Sequence, residues 1–158
     1  MKLNLGCGND FRYEKGWVNF DITRPCNVIG DMDSSLPFKD KSFELVWAAH
    51  VLEHRQDLRR LQRELARIIK QKAELKIIVP YYLSPDAWGD PTHCRAFSED
   101  SFLTCFWPGF TLARIEAKKY MKRGTGRDIL WLHADLVRNE VPLYDVDRQI
   151  GGRNYNKT

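Results

Sequence analysis

Lys2-Leu3-Asn4-Leu5-Gly6-Cys7-Gly8, followed by Val18-Asn19-Phe20-Asp21, decides the fold. Leu3 to Leu5 reads as a short buried strand that runs straight into a Gly-x-Gly turn. A second strand, residues 18–22, carries an acid. Glycines let backbone come close to a ligand at the carboxyl end of a sheet, and Asp21 can accept hydrogen bonds from a ribose diol. The pattern points to a bound nucleoside.

The segment between these strands, from Gly8 to Trp17, is too short and too polar for a full crossover helix; Asn9-Asp10 and Lys15-Gly16 read as turns. Residues 26–30 form a short third strand ending at Asp31, then comes a loop to Lys41. Residues 43–49 are an apolar run suited to a buried parallel strand. Residues 57–70 are the clearest helix, with Leu58, Leu61, Leu65, Ile68 and Ile69 on one face. Arg59, Arg60, Arg63 and Arg67 lie largely on the other and, with Arg55, read by default as a solvated face. A fifth strand spans 75–79, stopped by Pro80. Ser98 caps a helix whose apolar face includes Phe102, Leu103 and Phe106. Two strands, 111–121 and 129–139, are joined by a turn at Arg123-Gly124-Thr125-Gly126-Arg127.

Strands alternating with a helix, then a terminal hairpin, argue for an open α/β sheet. The expected architecture is Rossmann-like: mostly parallel, with an antiparallel C-terminal hairpin and no N-terminal helices. Its ligand crevice should lie beyond the carboxyl ends of the strands. The 158 residues suit one domain, 1–145, with a poorly ordered tail at 146–158. Hydrophobic content of 43% and aromatic content of 12% exclude a disordered chain. The net charge of +4 does not require a nucleic-acid partner. No apolar run is long enough to span a bilayer, and the chain enters a strand without a secretory signal. Cys7, Cys26, Cys94 and Cys105 are scattered without a C-x-x-C pair, which disfavours a zinc site or disulfide framework. A cytoplasmic protein without a membrane partner is the expectation.

A dinucleotide fingerprint needs a third glycine opening a helix. Here Gly6-Cys7-Gly8 is followed by Asn9-Asp10-Phe11, so NAD is disfavoured, and no phosphate-binding G-x-x-x-x-G-K-[ST] occurs. The chain resembles the class I S-adenosylmethionine-dependent methyltransferases. The likeness rests on Leu3-Asn4-Leu5-Gly6-Cys7-Gly8 and Val18-Asn19-Phe20-Asp21. Gly30-Asp31-Met32-Asp33, Leu36-Pro37-Phe38, Ser42-Phe43-Glu44 and Ala49-His50-Val51-Leu52-Glu53-His54 continue it, so that it covers residues 2–80. Gly89-Asp90-Pro91-Thr92-His93-Cys94-Arg95-Ala96-Phe97-Ser98 is similar to a loop of some small bacterial and phage members. The resemblance implies S-adenosylmethionine as cofactor, with Gly6, Cys7 and Gly8 against its methionine part and Asp21 on the ribose. It puts Asp31 on the adenine amino group, Met32 along the ring, and Ala49 and His50 over the methionyl chain. Starting at strand one, the chain departs from members with covering helices, so an open cleft is expected, closed by substrate or by a second subunit in a homodimer.

Methyl transfer asks the protein to align an acceptor and exclude water, and a hydroxyl acceptor benefits from a general base. His93 is the first candidate, in a loop with Trp88, Asp90 and Arg95; the alternative is that His93 and Asp90 pin that loop. His50 ends strand four, near the expected methyl group, and either touches ligand or packs. His54 reads as ordering the next helix and His133 as structural. Tyr81-Tyr82 and Pro25-Cys26 stand in the wrong loops for base-amino or cytosine-carbon methylation. Lys118, Lys119, Lys122, Arg123 and Arg127 cluster around the terminal hairpin and could contact phosphates. The leading expectation is methyl transfer to oxygen or nitrogen of a small molecule or sugar. A nucleic-acid methyltransferase and a non-catalytic cofactor-binding module acting through a partner remain as alternatives.

Overall fold

The computed structural model describes residues 1–103, 107–121, 126 and 128–139. Seven strands form one sheet: β1 (Lys2–Leu5), β2 (Trp17–Asp21), β3 (Val28–Ile29), β4 (Phe43–Ala49), β5 (Ile69–Pro80), β6 (Phe110–Met121) and β7 (Asp128–Arg138). Their order is β3-β2-β1-β4-β5-β7-β6. Neighbours from β3 to β5 are parallel, and β7 runs antiparallel between β5 and β6. The helices are α1 (Leu58–Ile68), α2 (Pro85–Gly89) and α3 (Asp100–Leu103), with a 3-10 turn at Leu52–His54. The expected Rossmann-like sheet with its antiparallel terminal hairpin is present. Among the described residues, no helix is long and apolar enough to cross a membrane.

Alternation within the strands divides the sheet into two unlike faces. Leu3, Leu5, Phe20, Val46, Ala48 and Leu75 lie on one face and are fully buried. They pack with Leu61, Leu65 and Ile68 of α1 and with Leu36 and Phe38 of the loop before β4. The α1 helix starts where the Asp57 carboxylate accepts a 3.0 Å hydrogen bond from the Arg60 amide. On the opposite face, Asn4 and Asn19 are buried and anchor the connection from β1 to β2. Asn4 Nδ2 donates to the Asp10 carbonyl and to Asn19 Oδ1, while Asn19 Nδ2 donates to the Arg12 carbonyl. The Arg12 guanidinium lies 4.6 Å from the ring centre of Trp47 and 5.4 Å from that of Trp17. The absent crossover helix is thus replaced by a loop held through amides.

Several sequence expectations change. The helix expected after Ser98 starts at Asp100, and Leu103, expected on its apolar face, is exposed. The third strand shrinks from 26–30 to Val28–Ile29, because the Asn27 side chain accepts from the Asn19 amide and so occupies a ladder position itself. The helix ends at Ile68 and β5 begins at once, well before residue 75. Ile69 is buried and pairs with Phe43, so burying it in the sheet wins over another helical turn. Nor is the arginine row simply solvated. Arg55 lies before α1 and reaches Asp33 at 3.4 Å and Asp31 at 3.8 Å. Arg67 donates to Glu64, Asp40 and the carbonyls of Leu36 and Phe38, clamping the loop that closes one end of the core. Phe106, Cys105, most of the β6–β7 turn and the expected tail lie outside the described residues.

Two measurements check the clamp. Removing its charged hydrogen bonds in Arg67→Ala should cost about 2 kcal/mol in chemical denaturation. The hydrogen bond from Arg67 holds the Glu64 carboxyl below its ordinary 4.5; burial opposes this and the Leu36 amide assists. Its stabilisation is complete above pH 4.5 and is lost as pH falls through the lower folded value. Glu64→Gln should therefore flatten the acid limb of a Tm profile against pH.

Candidate functional site

After β1 the chain passes outward to β2 and β3, then returns to β4 on the other side of β1. The reversal opens a crevice at the carboxyl ends of β1 and β4. Leu5 is level with Phe20 and with Ala48, so Gly6, Asp21 and Ala49 meet across three adjacent strand ends. Gly6 has φ +66°, and a Cβ there would collide with Val51 Cγ2 and press on Met32 Cε. The Gly6 and Cys7 amides both donate to the Phe20 carbonyl, and the Gly8 amide donates to Asp21 Oδ2 at 2.8 Å. Gly8, at φ +47°, faces open space.

The carboxylates of this half behave differently. Burial alone would raise the Asp21 carboxyl, but donors from Gly8 and Thr23 outweigh it and hold the group below its usual range. Asp21 Oδ1 accepts from the Thr23 amide and hydroxyl, and Oδ2 accepts from the Gly8 amide. Asp31 is exposed, beside Arg55, and its Oδ1 accepts from the Asp33 amide. Met32 is buried beneath the Gly6 turn. The Cys7 thiol is pushed up to about 11 by burial first and by the Asp21 charge second, so it stays protonated.

On the other side of His50 lies an open cavity of about 730 Å³, walled by the end of β5, by Trp131 and by the 85–93 segment. His50, Glu53, His54 and His93 all line it. His50 adopts φ +55°, an uncommon conformation for a residue with a side chain. Its ring meets Trp131 edge-on at 4.5 Å. The loop carrying His93 is strapped down: the Cys94 amide donates to the Glu53 carbonyl, and Arg95 donates to the carbonyls of Arg55 and Gln56. The Thr92 hydroxyl and amide donate to Asp90 and hold its carboxyl below the usual range. His93 also lies 3.9 Å from Asp90, so the loop-pinning contact and the cavity position coexist.

The other sequence candidates sit apart from this cavity. His133 Nε2 meets the Tyr120 hydroxyl at 2.8 Å on the exposed side of the sheet. The Tyr81 hydroxyl donates to Glu99, and burial followed by that acid pushes it up to about 12. Lys118 and Lys119 point to opposite faces of β6, near Glu116 and Asp128 respectively. Lys122, Arg123 and Arg127 lie outside the described residues. Sequence reasoning assigned nothing to Glu53, which is 1% exposed with no hydrogen-bond partner for either carboxylate oxygen among the described residues. Its only signal in the sequence was an acid embedded in Val51-Leu52-Glu53.

Residues 21–77 match the family model of the methyltransferase domain. No curated protein sequence matches the chain. Among solved structures, the chain is similar to the YcgJ protein of Bacillus subtilis, with TM-score 0.66, 17% identity, and 89% of this chain and 92% of that one covered. A putative methyltransferase of Bacillus halodurans gives TM-score 0.68 and 17% identity over 87% and 92% of the two chains. The [4+2]-cyclase SpnF also shares the fold, with TM-score 0.64 and 16% identity over 87% and 75%. The fold therefore hosts more than one chemistry.

Gly6→Ala tests the architecture of the crevice. Positive φ and the Val51 contact together should destabilise the protein by about 2–3 kcal/mol, read by denaturant titration.

Proposed function

With the class I methyltransferase fold and the match to the methyltransferase domain as premise, we propose that this chain binds S-adenosylmethionine and methylates an oxygen or nitrogen of a small acceptor. The observation that carries this is the meeting of the Gly6–Gly8 turn, Asp21 and Ala49-His50 at the strand reversal, beside a separate cavity lined by imidazoles. When bound, S-adenosylmethionine supplies an activated methyl group on a sulfonium centre.

The residues fit that group. The open space at Gly8 would admit the methionine part, and Met32, next to Asp31, would supply an apolar contact. The Asp21 carboxylate would accept from the ribose hydroxyls. A protonated Cys7 thiol is a poor nucleophile and does not compete for the methyl group. His50 stands between the two halves of the crevice, and His93 lines the cavity with it. An acceptor of metabolite or sugar size suits this cavity volume.

Calorimetry should show binding of S-adenosylmethionine and none of NAD; lack of binding to the first overturns the proposal. Asp21→Ala should weaken that binding at least about tenfold, the loss of a charged hydrogen bond. In a labelled-methyl screen of small hydroxyl and amine acceptors, RNA and DNA, transfer to the small acceptors is expected. Transfer to nucleic acid alone would move the acceptor assignment, and transfer to none would support a binding module. His93→Ala should lower kcat while leaving S-adenosylmethionine affinity unchanged; full activity would reduce His93 to a loop anchor.

A further inference from the structure

Glu53 poses a problem that its surroundings do not solve. A buried carboxylate without donors is costly, and such groups in folded proteins are paired or coordinate a metal. Its closest basic neighbour is His50 Nδ1 at 3.4 Å, yet no hydrogen bond forms between them. Two further imidazoles converge on it: one ligand atom from each of Glu53, His54 and His93 lies within 4.8 Å of the others.

The protonation of both rings follows from their partners. His93 Nδ1 is 3.2 Å from the Ala87 carbonyl, which can only accept, so Nδ1 donates there and Nε2, 3.9 Å from Asp90, is the nitrogen left to ligate an ion. His54 Nδ1 is 3.0 Å from the Thr92 hydroxyl. That hydroxyl already gives its single proton to Asp90 at 2.6 Å, so His54 Nδ1 must donate and its Nε2 is also left with a lone pair. The same arrangement, an imidazole whose second nitrogen is hydrogen-bonded to a carbonyl or to a carboxylate relay, orients histidines that ligate metals.

We propose that Glu53, His54 and His93 form a binding site for a divalent transition metal of the zinc type. Two neutral imidazoles and one carboxylate suit zinc or its neighbours and are a poor match for magnesium, which prefers oxygen. Small side-chain rotations bring three donors at this spacing around one ion. Glu53 then gains the partner that its carboxylate oxygens lack among the described residues, and the loop 85–95 becomes fastened to the 3-10 turn after β4 through the ion. Three protein ligands leave coordination positions open toward the cavity, where an acceptor hydroxyl or carboxylate oxygen can bind. Metal binding stands independently of methyl transfer; its use to hold an acceptor rests on the reading above.

The test uses the full chain, stripped with a chelator and then titrated with zinc by calorimetry and with cobalt(II) by visible absorption. One metal per chain and cobalt ligand-field bands are expected, with Glu53→Gln and His93→Gln each binding at least about tenfold more weakly. Far-UV circular dichroism confirms that the variants are folded, and His133→Gln, outside the cavity, should bind like the parent. Absence of saturable zinc and cobalt binding, parental affinity in folded Glu53→Gln, or magnesium binding as tight as zinc would each overturn the site. S-adenosylmethionine affinity, measured on the same stripped protein, reports separately on the proposed function.

Discussion

The close approach of Gly6 to Val51 is the contact on which the rest of the crevice depends. It seats the end of β1 against the segment after β4, with Met32 packed beneath. Only a residue without Cβ, and one able to take positive φ, fits there. From that seat the Gly6 and Cys7 amides turn toward β2 and the Gly8 amide reaches Asp21. Three strand ends are thereby brought level, and the reversal of strand order becomes a place where a ligand can lie.

The two halves of the crevice differ in their chemistry. Carboxylates and backbone line the side toward β2 and β3, and imidazoles together with Glu53, Asp86 and Asp90 line the side toward β5. His50 stands at the boundary, in a backbone conformation that its neighbours must maintain. Such strain is kept where surrounding contacts over-determine the backbone, and it gathers at functional sites. The loop from α2 to Phe97 closes the imidazole side through the Cys94 amide and the Arg95 guanidinium, which donate to carbonyls of residues 53–56, so the cavity wall is positioned by the segment after β4 as much as by its own sequence.

Much of the architecture could be read in advance because it follows from local pattern. Strand β4 appears where its apolar run predicts it, and the helix expected from residue 57 begins at Leu58. Less was legible where long-range partners decide. Nothing local tells Arg67, which clamps the loop before β4, from Arg59 or Arg60. Asn27 shortens β3 only because Asn19 stands opposite it. The polar connection from β1 to β2 could be recognised as too short for a helix, yet its attachment through Asn4, Asn19 and Arg12 needed the folded sheet.

By itself the sequence determined the order of the strands and of the main helix among them, the glycine turn and the acids after it, since each depends on residue type and spacing within a short stretch. It thereby determined the fold class. Tertiary structure alone decided that Glu53, an unremarked acid between Leu52 and His54, is buried beside His54 and His93 without a hydrogen-bond partner among the described residues. The reason is physical: burial and pairing belong to the neighbours that folding supplies, and His93 lies far along the chain from Glu53 until β5 carries it back.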